Sequence, residues 1–199
     1  MTNTSTASFN WHLLKKWIFV CAIFYLIRLI FDWLVSRFLF QFLENPFILI
    51  LIFSAISNAI GSVFQWYVLK NWIANAKYWV LATSLSYPLA LILVNNLPSI
   101  QGILSYTVIG LIIGIAQYLV LRGKLPGAGL WILANGFSFA FGNFVINQIS
   151  SVLGRIGLYS GGIYDLVEWF LMILNGVIYG IITGLVLVIL LSKLQKLEH

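Results

Sequence analysis

Gln65-Trp66-Tyr67-Val68-Leu69-Lys70 recurs in kind as Gln117-Tyr118-Leu119-Val120-Leu121-Arg122. Nine residues after each copy comes a Trp-led apolar run, Trp79-Val80-Leu81-Ala82 and Trp131-Ile132-Leu133-Ala134. Each block reads as the end of one long apolar segment, a basic residue, a short turn, and the start of the next segment. A helix needs about 20 apolar residues to cross the hydrocarbon of a bilayer. Working outward on that criterion gives six spans, 17–38, 47–69, 78–97, 100–121, 130–152 and 167–191. The breaks between them carry turn chemistry: Glu44-Asn45-Pro46, Asn71 to Lys77, Asn95-Asn96-Leu97-Pro98, Gly123 to Gly129 and Gly154 to Gly162.

The same pattern reaches both ends of the chain. Trp17-Ile18-Phe19-Val20 opens the first span in the same style, just after Lys15-Lys16. The second span of each pair carries spaced small or polar residues, as Asn58-x-x-x-Ser62-x-x-Gln65, Gly110-x-x-x-Gly114-x-x-Gln117 and Gly176-x-x-x-Gly180-x-x-Thr183. The predicted fold is therefore an all-α integral membrane protein of six transmembrane helices. They form three tandem hairpins, 17–69, 78–121 and 130–191, inserted in the same orientation. A pseudo-threefold axis along the membrane normal is the natural arrangement of such parallel repeats.

The pattern G-x-x-G/S-x-x-Q-W/Y-x-x-L-K/R, followed by a Trp-led span, resembles a group of uncharacterised small multispanning membrane proteins of cyanobacterial type. The resemblance covers residues 55–140 and the ends more loosely. It implies the hairpin architecture and no chemistry. Asn58 and Ser62 replace glycines of the pattern in the first copy, which predicts a less close helix contact there.

Composition and charge agree with membrane insertion. Hydrophobic residues make up 61% and charged residues 8% of the chain, and mean hydropathy is +1.00. A soluble domain cannot wet so apolar an outside. Lys15, Lys16, Lys70, Lys77, Arg122, Lys124, Lys193 and Lys196 fall on one side of the alternating spans. Asp32, Glu44, Asp165 and Glu168 fall toward the other, with Arg37 and Arg155. Short basic loops stay cytoplasmic, so both termini are expected inside, in a bacterial inner or internal membrane. The net charge of +6 is split among short juxtamembrane segments, which argues for anionic headgroups and against nucleic acid. Residues 1–10 read as a polar cytoplasmic tail, 11–196 as the membrane domain, and Leu197-Glu198-His199 as the start of a vector-encoded histidine tag. The single cysteine, Cys21, excludes an intrachain disulfide framework. No zinc, P-loop or hydrolase motif is present, so neither an enzyme nor a cofactor is expected.

Three features are candidates for function. The glycine faces of the second helices allow close helix packing, or else line a substrate groove. Gln65, Gln117 and Thr183 occupy equivalent positions about 7–8 Å from the cytoplasmic end. Cys21, Thr83 and Asn135 are equivalent on the Trp-led helices. Together they form either interhelical glue or a polar gate. Arg28 lies about 16 Å past Trp17, near the midplane. A charge there costs at least about 2.5–3.5 kcal/mol and demands a partner. Asp32, one turn on, is the obvious one, and Asn58, Asn143 and Asn175 reach similar depth. Either Arg28 and Asp32 form a structural pair, or the group binds a small polar or anionic solute. Pro88 is expected to kink the third span. The eight tryptophans read as an interfacial aromatic belt, and Asp165 and Glu168 as charges favourable to a helix start.

The expected function is transport, channel-like passage or binding of a small polar solute. The alternative is a non-catalytic scaffold, or a lipid- or pigment-binding protein, in a homo-oligomer or a larger membrane complex.

Overall fold

The computed structural model describes residues 10–38, 47–97, 99–158 and 164–197. The tail 1–9, the Glu44-Asn45-Pro46 break, Pro98, residues 159–163 and residues 198–199 lie outside the described residues, as do the side chains of Asp165 and Lys196.

Among the described residues six helices follow one another: α1 Trp11–Phe38, α2 Phe47–Leu69, α3 Tyr78–Asn95, α4 Ile103–Leu121, α5 Leu130–Arg155 and α6 Tyr164–Leu197. All six are long and apolar enough to cross a membrane. The spans at 47–69, 78–97 and 100–121 match to within three residues. The outer two helices run past their expected spans. Apolarity stops at Lys16 and Lys193, but backbone hydrogen bonding does not, and α1 and α6 continue through them. At 34 residues α6 is about 51 Å long, so its ends stand clear of a hydrocarbon layer about 30 Å thick. Pro88 sits inside α3, and the helix continues past it.

Each helix packs against its neighbours in chain order, and α1 packs against α6. The six therefore close into a ring, and α1, α3 and α5 meet only across its interior. Burial against lipid gives helices no hydrophobic reason to associate, so close approach and hydrogen bonds must hold them together. Glycine supplies the first. A Cβ at Gly114 would lie 2.9 Å from the Ile132 Cα, and one at Gly110 2.5 Å from the Asn135 carbonyl oxygen. At Gly180 it would lie 2.8 Å from the Ile18 Cα, and at Gly176 2.9 Å from the Cys21 carbonyl oxygen. Backbone thus runs against backbone at the α4/α5 and α6/α1 seams.

The two basic loops are built alike. Ile73 and Leu125 are buried, as are Ala76 and Ala128. Trp79 N–H donates to the Ala76 carbonyl and Trp131 N–H to the Ala128 carbonyl, both at 2.9 Å. Asn75 and Gly127 hold the same place in the two loops, each with positive φ, 61° and 78°. Asparagine and glycine are the residues that tolerate that conformation.

Candidate functional site

Just over two turns of α1 carry Trp17, Cys21 and Tyr25 on a single stripe, at i, i+4 and i+8. α3 repeats it as Trp79, Thr83 and Tyr87, and α5 as Trp131, Asn135 and Phe139. All nine side chains are buried. Because α1, α3 and α5 face one another only inside the ring, these stripes build its interior in layers.

The first layer is aromatic. Trp17, Trp79 and Trp131 are fully buried and meet edge to face, with ring centroids 6.0, 5.8 and 5.5 Å apart. Such pairs add about 0.5–1.5 kcal/mol each beyond area burial. This corrects the belt reading for three of the eight tryptophans. A belt pattern fixes height along the helix but not phase around it. Trp11 and Trp33 are exposed, while these three point to the axis and fill it near the basic end.

The second layer is polar and fully used. Trp79 Nε1–H donates to Gln65 Oε1 at 3.0 Å, Trp131 Nε1–H to Gln117 Oε1 at 2.8 Å, and Trp17 Nε1–H to Thr183 Oγ1 at 2.9 Å. Gln65 Nε2 in turn donates to Cys21 Sγ at 3.5 Å, and Gln117 Nε2 to Thr83 Oγ1 at 2.9 Å. The third copy lacks an amide. There the Tyr179 hydroxyl donates to Asn135 Oδ1 at 2.7 Å, while Thr183 donates to the Tyr179 carbonyl. Gln65, Gln117 and Thr183 thus join neighbouring helices and hold the tryptophans in place.

Beyond these layers, away from the basic end, lies a cavity of about 50 Å³. Its walls are Tyr25, Arg28, Leu29 and Asp32 of α1, Tyr87 of α3, Tyr106 and Ile109 of α4, Phe139 and Asn143 of α5, and Met172 and Asn175 of α6. Arg28 reaches across the ring. Its Nη2 hydrogen-bonds the Tyr87 hydroxyl, its guanidinium carbon sits 4.0 Å from the Tyr87 ring centre, and its Nε lies 3.6 Å from Asp32 Oδ2. Asp32 is 55% exposed in its side chain and also lines the cavity, so the cavity meets the outside beside it.

The structure brings together Arg28, Asp32, Asn143 and Asn175 of the midplane group. Asn143 donates to the Phe139 carbonyl at 2.8 Å. Asn58 does not join them. It is buried, donates to the Ser54 carbonyl of its own helix at 2.6 Å, and is not part of the cavity wall. Counting depth along each span found the height of these residues but not their direction.

Sequence reasoning missed the tyrosines. Tyr25 and Tyr87 are each eight residues beyond a Trp, the signal that would have found them. Among the described residues, two wall atoms are buried with no hydrogen-bond partner, the Tyr25 hydroxyl and Asn175 Oδ1. Gly142 makes the room that Asn175 Oδ1 fills, since a Cβ there would collide with it.

No protein-family model, no curated protein and no solved structure matches this chain.

Proposed function

We propose that the protein binds a small polar solute in the Arg28 cavity and is a transport-type membrane protein. The observation that carries this reading is the convergence of Arg28 with two unpartnered buried polar atoms, the Tyr25 hydroxyl and Asn175 Oδ1, on one small cavity. Each unsatisfied group costs about 1–3 kcal/mol, and a midplane arginine costs more again. A bundle kept only for packing gains nothing from them. A guest with an acceptor for Arg28 and the Tyr25 hydroxyl, and a donor for Asn175 Oδ1, satisfies all three. A space of about 50 Å³ holds roughly three to five water-sized groups. That limits the guest to a few non-hydrogen atoms, as in a small amide, a urea or a short carboxylate. Asp32 offsets the charge of Arg28, so a strongly charged guest is not required.

Several further readings belong to the same proposal. The tryptophan layer is the closure between this cavity and the basic end, and passage requires the three rings to part. The basic end faces the cytoplasm, with both termini there, in a bacterial membrane. The chain is three tandem hairpins about a pseudo-threefold axis. Recurrence of the Gln–Trp bond at the same 14-residue separation supports this, as does the third Trp bonded to Thr183.

The test is osmotic swelling of proteoliposomes in formamide, urea, glycerol and formate. The purified protein should speed swelling for the smallest of these over protein-free vesicles. Arg28→Met should return the rate to that of protein-free vesicles while eluting as the same particle. Equal rates with and without the protein, and no bound solute by native mass spectrometry, would favour the second reading, a non-catalytic membrane scaffold. The observation on its side is the fully satisfied Trp–Gln–Thr layer, which suits a solid bundle as well as a gate.

A further inference from the structure

Two grooves open on the outside of the bundle at its basic end, one between α3 and α4 and one between α1 and α2. The first has a volume of about 670 Å³, the second about 410 Å³. They sit in corresponding places. Leu81 of α3 and Leu119 of α4 line the first, and Phe19 of α1 and Tyr67 of α2 line the second; each follows its Trp or Gln by two residues. We propose that each groove is a binding site for one phospholipid with an anionic headgroup, its chain in the groove and its phosphate at a lysine.

The first groove has the shape of a chain site. Leu81, Leu85 and Leu89 form a row at i, i+4 and i+8 along α3 and are each more than half exposed. That row runs about 12 Å down the helix. Ala116 is the small residue of the opposite wall. Small side chains facing large ones leave a trough that annular lipid must fill, since nothing else in a bilayer wets an apolar wall.

The charge lies at one end only. Lys124 lines the first groove where α4 gives way to its loop, and Lys16 lines the second. Tyr78 in the first and Trp72 in the second are amphipathic rings suited to headgroup level. Among the described residues, no carboxylate lines either groove. A lysine at the mouth of an apolar trough complements an anionic phosphate, and such contacts contribute on the order of 1 kcal/mol per basic residue near the surface. The grooves correspond in position but not in the place of the charge, since Lys124 comes from the loop after α4 and Lys16 from α1 beside His12; what they share is an apolar wall with a lysine at the basic end. This inference stands apart from the Arg28 cavity and does not need it.

The test uses the full chain, reconstituted with equal amounts of phosphatidylglycerol and phosphatidylcholine of the same chain length, and gently released for native mass spectrometry. The expected result is up to two retained lipids, phosphatidylglycerol favoured several-fold. Lys124→Gln and Lys16→Gln should each remove one, and the pair both. Ala116→Trp, which fills the first groove and leaves Lys124 in place, should also remove one. Lys15→Gln, outside both grooves, should remove none. Equal retention of the two lipids overturns the proposal. So does loss in Lys15→Gln matching that in Lys124→Gln, or unchanged retention in Ala116→Trp. A far-ultraviolet melt of each variant separates lost lipid from lost fold.

Discussion

The Trp131 indole N–H donates to Gln117 Oε1 at 2.8 Å, with both side chains buried and on helices that pack together. Gln117 simultaneously donates to Thr83 on α3, so one amide joins three helices. Gln117→Leu keeps the volume but leaves the indole N–H and the Thr83 hydroxyl short of a partner. A buried unsatisfied group costs about 1–3 kcal/mol. Bonds of this kind inside bilayers average nearer 0.6 kcal/mol, because the separated helices also find partners. The expected loss is about 1–2 kcal/mol. A double-mutant cycle with Trp131→Phe, read by denaturant titration in detergent, should return a coupling of at least about 0.5 kcal/mol. Strictly additive costs would mean that the pair is adjacent but not bonded.

The glycines divide into those that backbone crowds and those that it does not. Gly114→Ala and Gly180→Ala place a methyl within 2.9 Å of a facing Cα, which cannot rotate away. The seam must open, at a cost of about 1–3 kcal/mol. Gly61→Ala meets only the Phe24 ring, starting 2.5 Å from it, and a ring can turn. Gly129→Ala and Gly154→Ala meet nothing within 4 Å. Thermal melts should therefore order the variants with Gly114 and Gly180 lowest, Gly61 between, and Gly129 and Gly154 near the parent. A Gly114→Ala variant as stable as Gly129→Ala would contradict the backbone contact at the α4/α5 seam.

How far the sequence was legible follows from the same residues. Lipid leaves an apolar length and a basic border as plain marks, so the four inner spans are legible to within three residues, while α1 and α6 run six residues past the apolar stretch at the basic end. The equivalence of Gln65, Gln117 and Thr183 was legible from spacing, and so were Cys21, Thr83 and Asn135. Their partners were not. A tryptophan at the start of a span predicts an interfacial ring, whereas Trp17, Trp79 and Trp131 turn inward. Direction in a membrane helix has weak sequence marks, since lipid-facing and core-facing residues are both apolar. The stripe Trp79, Thr83, Tyr87 held the missing information, because a polar residue between two amphipathic rings has no place on a lipid face. The Arg28–Asp32 pairing was legible from i, i+4 spacing. The bond from Arg28 to Tyr87 was not, because it links helices that touch only across the ring.

Tyr25 and Asn175 separate a site from a scaffold. The Tyr25 hydroxyl has no partner in the cavity wall, so Tyr25→Phe removes an unsatisfied group and leaves the ring contact with Tyr179 at 5.9 Å. Stability should stay level or rise by up to about 1 kcal/mol. Solute-dependent swelling should fall several-fold, because the guest loses a donor. A Tyr25→Phe variant that melts markedly lower would show that the hydroxyl has a partner in the folded protein and is not waiting for one. Asn175→Ala should act in the same direction on swelling.

Arg28 itself gives the sharpest contrast between a structural and a functional charge. Its partner Asp32 is half exposed, and pairs of that kind contribute at most about 1 kcal/mol. Against this stands an insertion cost of at least about 2.5–3.5 kcal/mol for an arginine at the helix centre. Arg28→Met keeps a long flexible side chain to fill the space beside Tyr87 and removes the charge. The expected result is a protein that inserts and melts at least as well as the parent but no longer speeds swelling. Arg28→Lys is the second arm. It keeps the charge but loses the planar fork that reaches Asp32 and the Tyr87 hydroxyl together, so stability should fall while solute response drops only in part. Should Arg28→Met instead destabilise the fold by more than about 2 kcal/mol, the arginine would be a packing element. The cavity would then be its solvation space and not a seat for solute.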